Sequence, residues 1–285
     1  MCGQRVGKRC HMCNIFIEGI QGMGKSTLLQ ALAVKYPNLK VCREGDYSPV
    51  ELAWCTWMTE EEYQGALARY PTMEAEIRAN TFREGGRHIV TYTKILTDIP
   101  GFHKDLERYE VYCGRVSREM LEQTVLSRYR RFNGRGYLFE CAFFQNVVED
   151  LILFHRCSDE EILAFYHKLY QAVRKEDFLL LYLSSDMIEE NIQAIRRERA
   201  DDQGKELWYP MMLRYFAESP YGKAHGCGSF EDLAAHLRHR QQVEMRIIKE
   251  VLGNRAAILP SKQWQMEEVE KYIQAFGTVS GTCAN

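Results

Sequence analysis

The stretch that decides the fold is NIFIEGIQGMGKSTLLQALAVKY, residues 14–36. Its first five residues form an apolar run rich in branched and aromatic side chains, which is typical of a strand buried on both faces of a parallel sheet. The segment STLLQALAVKY has the apolar spacing of an amphipathic helix. A glycine-rich turn joins the two, so the sequence predicts a strand, a tight loop and a helix in direct succession.

This turn matches the pattern G-x-x-x-x-G-K-[ST], in which glycines let backbone N–H groups and the helix N-terminus point at bound phosphates. Lys25 is expected to reach the β- and γ-phosphates, and Ser26 to offer its hydroxyl to Mg²⁺. We therefore expect ATP and Mg²⁺ to bind here. The predicted nucleotide-binding residues are Gly19, Gly22, Met23, Gly24, Lys25, Ser26 and Thr27.

The composition of the whole chain is that of an ordinary globular protein, with 285 residues, 46% of them hydrophobic, and a formal net charge of −2. Such a charge gives no overall positive field, so nucleic acid and anionic lipid are not expected as partners. No apolar run approaches the roughly 20 residues that cross a bilayer, and residues 1–13 lack the apolar stretch of a signal peptide. We therefore expect a cytoplasmic protein without membrane association.

The ten cysteines are scattered along the chain, and we expect reduced thiols. Cys10 and Cys13 have the spacing of half a zinc site, but no second pair completes four ligands. Residues 1–13 are instead interpreted as a flexible N-terminus. A single domain is expected over residues 14–285.

Later apolar runs predict further strands with helices between them. The expected strands are LKVCREGD (39–46), GYLFEC (136–141), DFLLLYLSSD (177–186) and AAILPS (256–261). The expected helices are AFFQNVVEDLILFHRC (142–157) and MIEENIQAIRRERADD (187–202). Residues 47–135 are expected to form a largely helical insertion, helical over 60–81 and extended over 88–95. This alternation predicts an α/β fold with a doubly wound parallel sheet and helices on both faces.

Three acidic residues lie at the ends of predicted strands, where open α/β sheets place ligand-binding groups. Glu44 and Asp46 end the second strand, and either carboxylate can act as general base toward an acceptor hydroxyl; ordinary turn chemistry is the alternative. Glu140 ends the third core strand and, with Ser26, is the predicted magnesium site, the carboxylate acting through water.

Phosphoryl transfer needs cations near the γ-phosphate, because negative charge spreads over the transferring oxygens. Arg196, Arg197 and Arg199 lie where a predicted helix gives way to a turn at residues 201–204. We expect them to act from a mobile lid spanning about residues 196–225. A solvated helix end stabilised by cations is the alternative.

Together these segments resemble the nucleoside and nucleotide kinase group of P-loop proteins, especially its thymidylate kinase and deoxynucleoside kinase branch. The resemblance rests on FIEGIQGMGKST (16–27), CREGD (42–46), FECAFFQ (139–145) and LLLYLSSD (179–186) followed by RRER. It implies an acidic residue near the acceptor, an acidic residue usually followed by Arg at the third strand end, and an arginine-bearing lid. Here Cys141 follows Glu140, so an arginine contact to the acceptor is missing and nucleosides or other hydroxyl compounds stay open.

The same resemblance aligns Arg43 and Glu44 with an Arg–Glu pair in the second-strand turn. Asp46 lies two residues further out, as expected of a residue that reaches into the cleft. The sequence therefore favours Asp46 as the base, with Glu44 as its positioning partner.

The predicted function is transfer of the γ-phosphate of ATP to a small-molecule acceptor, such as a nucleoside, a nucleotide or an antibiotic. The alternative is a regulatory NTPase switch that uses the insertion as a partner-binding surface. A nucleic-acid end kinase would need a basic channel that the overall charge does not indicate. The sequence leaves a homodimer open.

Overall fold

A computed structural model of the chain describes the backbone of residues 13–280 and the side chains of residues 13–276. The predicted flexible segment 1–13 and Cys10 lie outside these residues, apart from Cys13, which is buried. The described part forms seven strands. They are β1 (Asn14–Glu18), β2 (Lys40–Cys42), β3 (Thr81–Glu84), β4 (Arg87–Val90), β5 (Tyr137–Glu140), β6 (Phe178–Ser184) and β7 (Ala256–Pro260).

Helices fill most of the chain between these strands. The α-helices are α1 (Lys25–Lys35), α2 (Glu60–Arg69), α3 (Glu74–Ala79), α4 (Phe102–Glu107), α5 (Arg118–Arg131), α6 (Gln145–Leu153), α7 (Asp159–Val173), α8 (Ile188–Glu198), α9 (Trp208–Glu218), α10 (Pro220–His225), α11 (Phe230–Ile247) and α12 (Met266–Ser280). Short 3₁₀ turns occur at Pro71–Met73, Tyr92–Lys94 and Gly253–Arg255, and a π-helical turn at Ile248–Leu252. Within residues 13–280, no helix has both the length and the apolar character needed to span a membrane.

Five strands form one parallel sheet in the order β2-β5-β1-β6-β7. The chain runs from β1 to the edge strand β2, returns to β5 beside β1, and then crosses to β6 and β7 on the other side. Such a change of direction opens a crevice at the carboxyl ends of the strands, next to β1. The predicted α/β fold with a parallel sheet flanked by helices is confirmed.

The centre of the sheet is a cluster of aromatic rings. All five residues of β1 are buried, which agrees with the strand predicted to be covered on both faces. The ring of Phe16 stacks on Phe139 of β5 at 4.7 Å between centroids. It also meets Phe143 and Phe178 edge-on at 5.5 and 5.8 Å. These contacts join β1 to both neighbouring strands and to the turn that follows β5.

Residues 47–135 differ in detail from the expectation. The helix expected over 60–81 is interrupted at Tyr70, because Pro71 lacks an N–H donor and disfavours helical backbone in the residue before it. The extended segment expected over 88–95 ends at Val90 and belongs to an antiparallel hairpin with β3. Gly85 and Gly86 form the turn of this hairpin, both with positive φ.

We expect Phe16→Ala to lower the free energy of unfolding by about 3–5 kcal/mol, because a fully buried ring would be replaced by a cavity between four other rings. Leu96→Ala removes an apolar side chain that is 92% exposed, and it should change stability by less than about 0.5 kcal/mol. Urea denaturation of both variants gives the comparison. Equal losses in the two variants would contradict the central role of the ring cluster.

Candidate functional site

The loop between β1 and α1 needs glycine at two positions, where a side chain would clash with a neighbour or strain the backbone. Gly19 has φ of 139°, and a Cβ on it would lie 2.5 Å from the carbonyl oxygen of Leu183 on β6. Gly24, with φ of 87°, is the N-cap of α1 and has no side chain to bond the first helical N–H groups. These N–H groups and the positive end of the helix dipole are therefore available to an anion.

Lys25 lies across this loop. Its Nζ donates to the carbonyl oxygens of Gly19 at 2.7 Å and Ile20 at 2.9 Å, and the residue is buried. The ammonium group is therefore held above the loop at the start of α1. A phosphate bound by the loop would meet a positive charge there.

Ser26 and Glu140, the two residues predicted to hold Mg²⁺, lie together. The register of the sheet pairs Glu140 with Ile17, which places the carboxylate beside the end of β1, and the Ser26 hydroxyl donates to it. Hydroxyl and carboxylate oxygens are ligands that Mg²⁺ prefers. Within residues 13–276, no cluster of three or more His, Cys, Asp or Glu side chains is placed to hold a metal, so an ion here would need phosphate and water oxygens as further ligands.

A cavity of about 590 Å³ opens above the loop at the carboxyl ends of the strands. Residues 21–27 of the loop and α1 form its floor. Glu44, Glu140 and Gln145 reach it from the β2 and β5 side, and Arg199 and Lys262 from the β6 and β7 side. The structure thus brings the predicted phosphate loop, the predicted metal pair and one predicted acceptor carboxylate to one cavity.

The two carboxylates after β2 lie in different surroundings. Glu44 lines the cavity, where its Oε1 accepts from Trp54 Nε1 at 3.1 Å and Gln145 Nε2 at 2.9 Å. Asp46 accepts from the Arg43 backbone N–H at 2.8 Å, forms an ion pair with Lys94, and does not line the cavity. The sequence favours Asp46 as the base, whereas in the structure it is Glu44 that faces the cavity.

Of the three arginines predicted for a lid, only Arg199 lines the cavity. α8 ends at Glu198 rather than near residue 202, so Arg196 and Arg197 lie in its last turn. Arg196 pairs with Glu206 at 2.9 Å and lies 4.2 Å from the centre of the Tyr209 ring. The region expected to be a lid contains α9 and α10, and in its first part Arg196 contacts Glu206 and Tyr209.

Several cavity residues were not among the predicted site residues. Lys262 and Trp264 follow β7, and the rule that ligand groups follow parallel strands could have identified them. Gln145 begins α6, and its contact with Glu44 gives no local sequence signal. Met211 and Met212 of α9 reach the cavity only through the packing of that helix.

A buried guanidinium contacts the loop through the side chain of Gln21. Arg240 of α11 is fully buried, and its Nη1 donates to Glu149 at 2.8 Å and to the side chain of Gln21 in the loop at 3.1 Å. Its Nε donates to Glu244 at 2.9 Å, which also accepts from the Tyr182 hydroxyl at 2.6 Å. This network links the loop to α6, α11 and β6.

A scan against protein-family models gives no match, and neither does a search of curated proteins. The chemistry of the cavity therefore has to be inferred from its own side chains. The seven cysteines between residues 13 and 276 form no disulfide with one another.

Glu18 ends β1 directly before the loop and is fully buried. It accepts from the backbone N–H groups of Phe143 at 2.6 Å and Gln145 at 3.3 Å, so it holds the turn that carries Gln145. Burial raises the pKa of Glu18 from 4.5 to about 8, and the neighbouring Glu244 adds to the effect. The carboxyl group is thus neutral in the folded protein over a range of pH in which it is ionised in the unfolded chain.

This raised pKa predicts a pH-dependent stability. Between about pH 4.5 and 8 the folded protein keeps a proton on Glu18 that the unfolded chain releases, so this group lowers stability as the pH rises. Glu18→Gln should therefore gain stability relative to the native chain, by at most about 1.4 kcal/mol per pH unit across this window. Denaturant melts of both proteins at pH 5, 6.5 and 8 measure the difference. A difference that is constant with pH would contradict the assignment.

Proposed function

We propose that this protein is an ATP- and Mg²⁺-dependent phosphotransferase that moves the γ-phosphate to a hydroxyl of a small molecule. The observation that carries the proposal is the meeting of Lys25, the Ser26–Glu140 pair and Glu44 in one cavity. On this view the chain is a relative of the thymidylate kinase and deoxynucleoside kinase branch, residues 47–135 are an insertion, and the enzyme acts in the cytoplasm.

The loop would bind the phosphates of the nucleotide through its backbone N–H groups, with Lys25 over the β- and γ-phosphates. Ser26 and Glu140 would hold Mg²⁺, which supplies positive charge to the phosphate oxygens when bound. Arg199 adds a further positive charge at the cavity wall, and Lys262 adds another that is partly offset by its pairing with Glu198 of the same wall at 3.4 Å. Transfer needs this charge, because the transferring group spreads negative charge over its oxygens.

Glu44 is the best-placed general base. It faces the cavity, whereas Asp46 pairs with Lys94 and lies outside the lining. Trp54 and Gln145 both donate to one oxygen of Glu44 and so hold the carboxylate in position. In the proposed reaction Glu44 takes the proton of the acceptor hydroxyl as the new oxygen–phosphorus bond forms.

The direct test is incubation of the pure protein with ATP, Mg²⁺ and pools of nucleosides, nucleotides and hydroxylated antibiotics. A product heavier by one phosphate, detected by mass spectrometry, is the expected result. Hydrolysis of ATP with no phosphorylated acceptor would favour the regulatory NTPase instead.

We expect Lys25→Ala to fold and to lose at least about a hundredfold in transfer rate, because its charge is directed at the transferring phosphate. Lys35→Ala removes an equal charge from the same helix at an exposed position, paired with Glu270. It should keep normal activity. Turnover of Lys25→Ala at the native rate would mean that the loop is not the catalytic phosphate site.

The roles of Glu44 and Asp46 can be distinguished by replacing each carboxylate with the corresponding amide. Glu44→Gln should lower kcat by roughly 10² with little change in the KM for ATP, as expected of a lost base. Asp46→Asn should have a smaller effect on kcat, because that side chain lies outside the cavity. Steady-state kinetics with the identified acceptor measure both. A loss of kcat in Asp46→Asn alone would identify Asp46, and not Glu44, as the general base.

A further inference from the structure

The cavity has two chemically different halves, and the strand order separates them. Apart from Lys25, the cationic side chains that line it lie on the β6 and β7 side. Arg199 follows α8, and Lys262 follows β7. The β2 and β5 side contributes Glu44, Glu140 and Gln145, together with Trp54. Since β1 and its loop lie between these strand pairs, the cations of the cavity wall are confined to one side of the loop and to Lys25 in the loop. Glu198 also lines the cationic side, where it pairs with Lys262 at 3.4 Å.

Contacts with the loop hold the cationic half in place. Ser261, next to Lys262, donates its hydroxyl to the Met23 carbonyl at 3.0 Å. The stem of Lys262 passes within 3.7 Å of the position a Cβ would take on Gly24. Ile195 of α8 packs directly over Gly22. Arg199 and Lys262 therefore flank the glycine loop, where a nucleotide triphosphate would be bound.

Glu44, in the other half, is held by neutral donors. Trp54 Nε1 and Gln145 Nε2 donate to it, and among residues 13–276 no Lys or Arg forms an ion pair or hydrogen bond with it. Two cations attached to the same turn are directed elsewhere, since Arg43 donates to Gln30 on α1 at 3.1 Å and Lys94 pairs with Asp46. A second negative charge bound here would meet Glu44 without a compensating cation.

Trp54 adds a flat apolar surface beside this carboxylate. Its backbone lies in the left-handed region with φ of 59°, which costs a bulky residue of order 1–3 kcal/mol. Its side chain remains 48% exposed at the cavity although it is held by the bond to Glu44. An exposed indole fixed next to the base offers a stacking face to a planar group of the acceptor.

We propose that this half of the cavity takes an uncharged acceptor alcohol with a planar group, and that phosphorylated acceptors are disfavoured because the neutral Gln145 stands where a cation could offset their charge. The inference rests on the proposed function. A phosphate monoester would bring up to two negative charges to a carboxylate that only neutral donors contact, and like charges brought together in a partly desolvated site repel strongly. An uncharged alcohol can lose its proton to Glu44, bond its oxygen to the γ-phosphorus and release ADP without that repulsion.

The first experiment compares matched acceptors on the native enzyme. Each nucleoside is assayed beside its own 3′- and 5′-monophosphates with ATP and Mg²⁺, because a monoester that keeps the accepting hydroxyl free differs from the nucleoside only in the added charged phosphate. We expect kcat/KM to be at least about a hundredfold higher for the uncharged member of each accepted pair. Equal use of monophosphates would overturn the inference and leave the proposed function standing. A panel in which neither member of any pair gains phosphate would overturn the inference as well, and the wider pool of acceptors decides the proposed function separately.

The second experiment changes the charge at position 145. Gln145→Arg places a cation beside Glu44 and should raise the monophosphate-to-nucleoside ratio of kcat/KM at least about tenfold. Gln145→Leu removes the amide without adding charge, so it should lower kcat and leave the ratio unchanged. Gln64→Arg makes the same substitution at an exposed position of α2 and should change neither.

A ratio that stays at the native value in a folded Gln145→Arg protein would overturn the role of Gln145. Thermal melts followed by circular dichroism establish whether the variant is folded. If it is not, the ratio measured on the native enzyme alone decides whether the acceptor is uncharged.

Discussion

The central position of β1 is the constraint on which the rest of this structure depends. β1 is hydrogen-bonded to β5 on one side and β6 on the other, so its carboxyl end lies in the middle of a parallel sheet. Every segment that leaves a strand end near it is brought to the same edge. The glycine loop, Glu140 and the residues after β6 and β7 meet there for that reason, although they are distant in sequence.

Buried charge is organised around that edge in two different ways. Glu18, at the end of β1, lies in apolar surroundings, and its pKa is raised to about 8 mainly by burial. Burial alone would also raise the pKa of Glu149, but His236 and Arg240 outweigh it and hold that pKa at about 2. One carboxyl group is therefore kept neutral and the other ionised within the same core, and both contribute to holding the residues that line the cavity.

Much of this arrangement could be predicted from the sequence, because its signals are local. Residues 14–36 contain a strand, a loop and a helix without interruption, and the pairing of Ser26 with Glu140 follows from placing acidic residues at parallel strand ends. The choice between Glu44 and Asp46 could not be predicted. It depends on Trp54, Lys94 and Gln145, which reach the turn from other parts of the chain. The end of α8 could not be predicted either, since a charged sequence continues past Glu198 without a proline or glycine until Gly204.

The bond from Arg240 to Gln21 has a consequence for how the loop meets its ligand. A loop rich in glycine has many conformations in the unfolded chain, and ordering it costs conformational entropy. Here the fully buried guanidinium of Arg240 bonds to Gln21, and the ammonium group of Lys25 bonds to the Gly19 and Ile20 carbonyls, so contacts within the chain itself hold the loop. The cost of ordering the loop is thus incurred when the chain folds. The free energy of ligand contact can then appear as affinity, because the receptor is preorganised.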